Sequence, residues 1–170
     1  METTLTIDRI DRGSTPTTTI YSEGAELVFE RTFNAPREAV WKAFTDPELV
    51  PRWWGPHGTT TRVAEMDVRP GGRWRYISSA PDRDDVAFYG EYLEVEPPER
   101  FAWTFMFDVE GIGPQGGPET HTFEDLGGRT KVRSVGQMGS VEALAGAVAS
   151  GMVAGAIETW DRLEAVLAKR

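Results

Sequence analysis

The chain contains no cysteine, which removes disulfide scaffolds, Cys-ligated zinc, iron–sulfur centres and thiol nucleophiles. Its two histidines, His57 and His121, are far apart and lack metal-ligand spacing, so no metal and no cofactor is expected. Cations are short as well: 18 Lys and Arg stand against 27 Asp and Glu, for a net charge of -9. Binding to a phosphate backbone rests on clustered cations, so nucleic acid is not an expected partner. The densest basic group, Arg62, Arg69, Arg73 and Arg75, reads as outward residues on strands. No apolar run approaches the length of a membrane span, and Met1–Asp11 lacks the basic start and apolar core of a secretion signal. The expectation is a cytoplasmic protein with no membrane partner. A length of 170 residues suggests one domain, large enough to bury its own core.

Residues 1–24 form a Thr- and Ser-rich arm with two alternating tracts, read as an extra strand or a partly ordered segment. Firm structure begins at "AELVFERTF", where Leu27, Phe29, Arg31 and Phe33 share one face. In "NAPREAVWKAFTD", Pro36 fits the first helical position, and Val40, Trp41 and Phe44 fall at helical spacing. Asp46, Pro47 and Glu48 repeat the start signal, which predicts a second short helix from Pro47 to Trp53. From Thr59 to Met138 the pattern is strand and turn, six strands in an antiparallel meander with a long Gly/Pro loop over Glu110–Pro118. The last stretch, from Ser140 on, has no proline and repeats apolar residues every three or four positions. It reads as one long amphipathic helix capped by Ser140, with Glu158 and Arg162 as an i,i+4 pair.

A half-buried antiparallel sheet needs its apolar face covered, and only the last helix is long enough to do it. The fold class is therefore α+β: a curved antiparallel sheet of about seven strands around a long C-terminal helix, with two short helices after the first strand. Alternation places Trp74 and Tyr76 inward, and likewise Trp103, Phe105 and Phe107, His121, and Ser134 with Met138. Met152 and Ala156 face them from the helix. Large rings alternating with small residues predict an aromatic-lined cavity, the usual character of a small-molecule site, with a core filled by the rings themselves as the open alternative. Trp53 and Trp54 sit at its end, with His57 close by. Residues about 100° apart on a helix end cannot both be core, so one faces inward and one shapes the mouth.

The stretches "FNAPREAVWKAFTDPELVPRWWGPHG", "EMDVRPGGRW", "EVEPPER", "HTFEDLGGRTKV" and "SGMVAGAIETWDRLEAVL" resemble the heat-shock-protein-90 ATPase activator homologue family of the START-like, or SRPBCC, superfamily. The resemblance covers about residues 25–168 and implies the helix-grip fold, with a START-like domain over 25–170. It also implies an internal cavity, since superfamily relatives bind lipids, hormones or polyketides, and some cyclise polyketides. The eponymous co-chaperones carry an additional N-terminal domain for chaperone binding. About 24 residues stand in its place here, which argues against a chaperone partner. Close family members usually have Gly-Trp where this chain has Gly155 and Ala156. The missing ring either widens the cavity or is replaced by Trp160.

The expected partner is a hydrophobic or aromatic small molecule, held without catalysis. Two alternatives stay open: an enzyme of the cyclase, dehydratase or hydrolase type, and a protein-interaction module. A homodimer, with the arm crossing to a partner subunit, is a further open alternative. For an enzyme, His121 is the candidate acid–base group, because it occupies an inward strand position where an apolar residue belongs. The candidate ligand-binding set is Trp53, Trp54, His57, Trp74, Tyr76, Trp103, Phe105, Phe107, His121, Ser134, Met138, Met152 and Ala156.

Overall fold

The computed structural model describes residues 8–169. Thirteen elements follow in order: β1 (Arg9–Asp11), β2 (Thr19–Glu23), β3 (Glu26–Phe33), α1 (Arg37–Thr45), α2 (Val50–Trp53), β4 (Thr60–Met66), β5 (Arg73–Ala80), β6 (Arg83–Glu96), β7 (Arg100–Val109), β8 (Gly113–Asp125), β9 (Thr130–Gln137), α3 (Val141–Ala149) and α4 (Met152–Ala168). The strands form one antiparallel sheet in the order β1-β2-β3-β9-β8-β7-β6-β5-β4. It has nine strands rather than about seven, because β2 of the arm pairs with β3 and β1 pairs with β2. The first alternating tract begins at Thr4, so its start lies outside the described residues.

Three sequence expectations need correction. The last helix is broken: α3 and α4 meet at a 67° bend. Gly151 there has φ +90°, a left-handed conformation that ends α3 and that residues with a side chain adopt at a cost. Ser140 does cap α3, accepting from the Ala143 amide at 3.0 Å. Among the described residues no single helix is long and apolar enough to cross a membrane. The supposed loop over Glu110–Pro118 is a tight turn followed by strand, since Val109 already pairs with Gly113. Its prolines are tolerated because this part of β8 is paired on one side only, β9 joining at Glu119. Gly116 fits there because a Cβ would stand 1.9 Å from the Phe105 carbonyl. Thirdly, α2 starts at Val50 instead of Pro47. Pro51 falls in its first turn, where its missing N–H costs nothing. Pro36 likewise caps α1 from one position earlier than expected.

The core is aromatic and lies between the sheet, α1, α2 and the C-terminal half of α4. Trp74, Tyr76, Tyr92, Phe101 and Trp103 are all buried, with Trp74 stacked on Trp103 at 4.0 Å. Trp160 meets Phe29 and Phe33 edge-on. Amid this apolar stripe stands Arg31, only 3% exposed. Its guanidinium donates to Asp161 at 2.7 Å and to Glu164 at 2.5 Å, both on α4. The anticipated Glu158–Arg162 pair is absent, because Arg162 donates to the carbonyls of Gly55 and Pro56 instead.

The Arg31 clamp is lopsided: the cation is buried while the two carboxylates are about half exposed. Removing the carboxylates strands a buried charge, whereas removing the cation leaves two anions in water. In urea unfolding, the double substitution Asp161→Asn, Glu164→Gln should cost about 3 kcal/mol and Arg31→Met clearly less. The reverse order would contradict this reading of the clamp.

Candidate functional site

Register lines up the inward side chains in rows. Phe29, Ser134, His121 and Phe101 form one row across β3, β9, β8 and β7. Leu27, Gly136, Glu119 and Trp103 form the next. Beyond these stand Phe105 and Phe107 on β7 and Met138 after β9. Burial falls along this progression. Phe101 and Val132 are fully buried, Trp103 and Ser134 nearly so, while Phe105, Phe107, Gly136 and Met138 are partly exposed. The helix above follows the same gradient: Leu163 is sealed, Met152, Ala156 and Ile157 are not. Between sheet and helix the side chains are thus sealed around Trp160, the closed half, and only partly covered toward the start of α4, the open half.

This splits the sequence-derived set. Trp53, Trp74 and Tyr76 belong to the closed half. Trp53 is 2% exposed, donates to the Ala43 carbonyl at 2.9 Å and packs on Phe44. The deep aromatic cavity expected around Trp74 and Tyr76 is instead filled by their own rings and those of Tyr92 and Trp103. Burial pushes the phenols of Tyr76 and Tyr92 well above their ordinary range, so neither serves as a base. Trp54, Phe105, Phe107, Met138, Met152 and Ala156 are the partly exposed members. Trp54 meets Tyr76, Phe88 and Phe105. Its loop is fixed from two sides, by Thr61 Oγ1 donating to the Trp54 carbonyl at 2.6 Å and by Arg162 on the following residues. His57 is exposed in the loop after α2 and is not brought to the other residues.

His121, expected alone among apolar groups, has polar partners on both ring nitrogens. Nε2 lies 2.6 Å from Glu119 Oε1 and Nδ1 lies 2.5 Å from Ser134 Oγ. Trp103 Nε1 donates to the same Glu119 oxygen at 3.0 Å. Rings of Phe44, Phe101 and Trp103 enclose the imidazole. Burial by itself would raise the Glu119 carboxyl, but the charge of His121 and the bonds from His121 and Trp103 outweigh it and hold it below its ordinary value. An ionised Glu119 can only accept, so His121 Nε2 carries a proton. Nδ1 then faces the Ser134 hydroxyl, accepting from it where the ring is neutral and donating to it where the ring is charged. Glu119 is the residue of this string that the sequence reading missed. Its signal was available, since it stands two positions before His121 on a strand and therefore on the same face.

The string Ser134–His121–Glu119 has the partners of a nucleophilic triad without its setting. Ser134 is 6% exposed in the middle of β9, paired with Phe29 on one side and His121 on the other. Its strand neighbours thus use the backbone amides that would have to hold an oxyanion. Two surface depressions, of about 400 and 430 Å³, lie away from this string. The first is lined by residues of β2, β3 and β9, the segments just before β2 and β9, and Glu164, the second by Phe33, Asn34 and the end of α4 with Glu164.

A model of the family described as Activator of Hsp90 ATPase homolog 1-like protein matches residues 34–168. Among solved structures, protein Ms6760 from Mycobacterium smegmatis is 29% identical, with a TM-score of 0.79 over 89% of this chain and 97% of its own. A protein from Rhodobacter sphaeroides is 25% identical, with a TM-score of 0.81 over 90% and 99% of the two chains. An Arthrobacter aurescens protein, at 22% identity and a TM-score of 0.81 over 89% and 92%, shares the fold. No curated protein matches the sequence.

Because folding lowers the Glu119 carboxyl below its ordinary value of 4.5, its ionised form stabilises the folded chain. That contribution is complete above the ordinary value and drains away as pH falls through the lowered one. Glu119→Gln should therefore flatten the loss of unfolding free energy between about pH 5 and about pH 3. An acid limb as steep as that of the unaltered protein would show that Glu119 is not held ionised by folding.

Proposed function

We propose that this chain, which belongs to the activator of Hsp90 ATPase homolog 1-like family, binds an apolar or aromatic small molecule in the open half of the space between sheet and helix, without catalysing its turnover. The observation that carries this reading is the burial gradient along β7. A row of four aromatics runs from a sealed core at Phe101 to partly exposed rings at Phe105 and Phe107. Large rings left accessible beside Trp54 and Phe88 offer flat apolar walls, the lining that small-molecule sites share.

Hydrolysis through Ser134 is disfavoured by its place inside a fully paired ladder. A cyclase-type reaction has one observation on its side, the carboxylate–imidazole pair of Glu119 and His121, which supplies an acid–base couple at the edge of the open half. A protein-docking role draws less support. The exposed large apolar residues Ile10, Leu93, Ile112, Leu126 and Val141 each belong to a different element or turn, whereas docking faces are contiguous.

Gly136 tests the location. It lies opposite Glu119 with an ordinary negative φ, and a Cβ added there meets nothing closer than Met138 Sδ at 3.8 Å. A larger side chain would therefore enter the open half without straining the backbone. The uncharged fluorophore N-phenylnaphthylamine should brighten on addition to the protein, and Gly136→Leu should weaken that binding by about ten-fold or more. Binding unaffected by Gly136→Leu would move the site elsewhere, and no binding at all would remove the reading.

A further inference from the structure

On the row where the closed half gives way to the open one, the two oxygens of Glu119 are unequally satisfied. Glu119 Oε1 receives both the His121 and the Trp103 hydrogen bond, and Oε2 receives none from the described residues. Oε2 is not sealed, since the Glu119 side chain keeps 27% of its exposure. Nor is it covered from the neighbouring strand, where Gly136 presents no side chain and a Cβ would come no nearer than 3.9 Å. Trp103, stacked on Trp74, stands beside it, and Phe105 continues the wall.

Resting on the proposed small-molecule site, we infer that Glu119 Oε2 is its polar anchor, and that the ligand is an apolar or aromatic molecule carrying one cationic donor, an ammonium or amidinium group. Three physical arguments select this class. The free oxygen belongs to a carboxylate held ionised, as the lowered Glu119 carboxyl indicates, so it accepts and does not donate. A donor that is itself charged makes the stronger bond, and in surroundings of low polarity the gain over a neutral donor grows. Aromatic rings next to a carboxylate further favour a cation through the negative faces of their π-systems. An anionic ligand meets the opposite: the free oxygen repels it, and the cations of the inner face are engaged elsewhere, Arg31 with Asp161 and Glu164 and Arg162 with the Gly55 and Pro56 carbonyls. The overall charge of -9 also concentrates cations at the surface before they enter.

The test compares three probes of one shape by isothermal titration: naphthylmethylammonium, the uncharged ethylnaphthalene and the anionic naphthylacetate. The unaltered protein should bind the ammonium about ten-fold tighter than ethylnaphthalene, and naphthylacetate weakest. Glu119→Gln keeps the shape and the acceptor for Trp103, and it should erase the preference while leaving ethylnaphthalene binding in place. Equal binding of all three by the unaltered protein, or preference for the anion, overturns the anchor and leaves the apolar site standing. Failure of every probe to bind overturns the site and the anchor with it. The comparison within the unaltered protein decides the matter even where Glu119→Gln does not fold.

Discussion

One buried cation organises the contact between helix and sheet. Arg31 sits on the apolar face of β3, where a free guanidinium would cost far more than the fold can spare. It is tolerated because Asp161 and Glu164 reach down to it from α4. This fixes the C-terminal half of α4 in both position and rotation, and Trp160 on the same stretch is then pressed edge-on against Phe29 and Phe33. The other end of α4 has no comparable tie. The bend at Gly151 turns α3 away, where Leu144 packs against Ile20 and Leu27. A helix held by ion pairs at one end and by the partly buried Met152, Val153 and Ile157 at the other leaves a wedge of partly exposed side chains between itself and the sheet. The gradient from sealed to accessible aromatics follows from that wedge.

Polar groups in the wedge obey the same economy. Each inward polar atom near the closed end has a partner: Trp103 Nε1, both nitrogens of His121, and Ser134 Oγ form one connected string. Among the described residues Tyr92 Oη and, on α1, Arg37 Nε are the exceptions, buried without a partner. The string ends at Glu119, on the row where the closed half gives way to the open one. A carboxylate with one oxygen satisfied and one free at such a boundary is costly as scaffolding and useful as a contact. That asymmetry, more than the presence of His121, distinguishes this region from an ordinary aromatic core.

Much of the architecture could be read from the sequence because period-two alternation survives wherever one face of a strand is buried. Strands β4 to β7 and β9 announce themselves in this way, and helix signals mark Ser140 as the cap of α3, while which of Trp53 and Trp54 turns inward could not be read. The failures have specific causes. Ser150 and Gly151 do not interrupt the three-and-four spacing of apolar residues, so two helices passed for one. The Gly/Pro-rich start of β8 looks like a loop because proline is excluded from strands paired on both sides, and this segment is paired on one. Glu119 escaped because a search for apolar residues with one polar exception stopped at His121, although the same alternation carried two positions back reaches it. Which of the two alternatives holds for the inner cavity, open or filled by its own rings, was not legible. It depends on how Trp74 and Trp103 stack across the intervening strand, a three-dimensional fact with no counterpart in spacing.

The most direct measurement of the central claim is amide chemical-shift mapping by NMR during titration with ethylnaphthalene. The account predicts shifts at Trp54, Phe105, Phe107, Gly136, Met138 and Met152, with the residues around Arg31 and Glu164 undisturbed. Shifts confined to the two surface depressions beside Glu164, or no shifts at saturating probe, would contradict it.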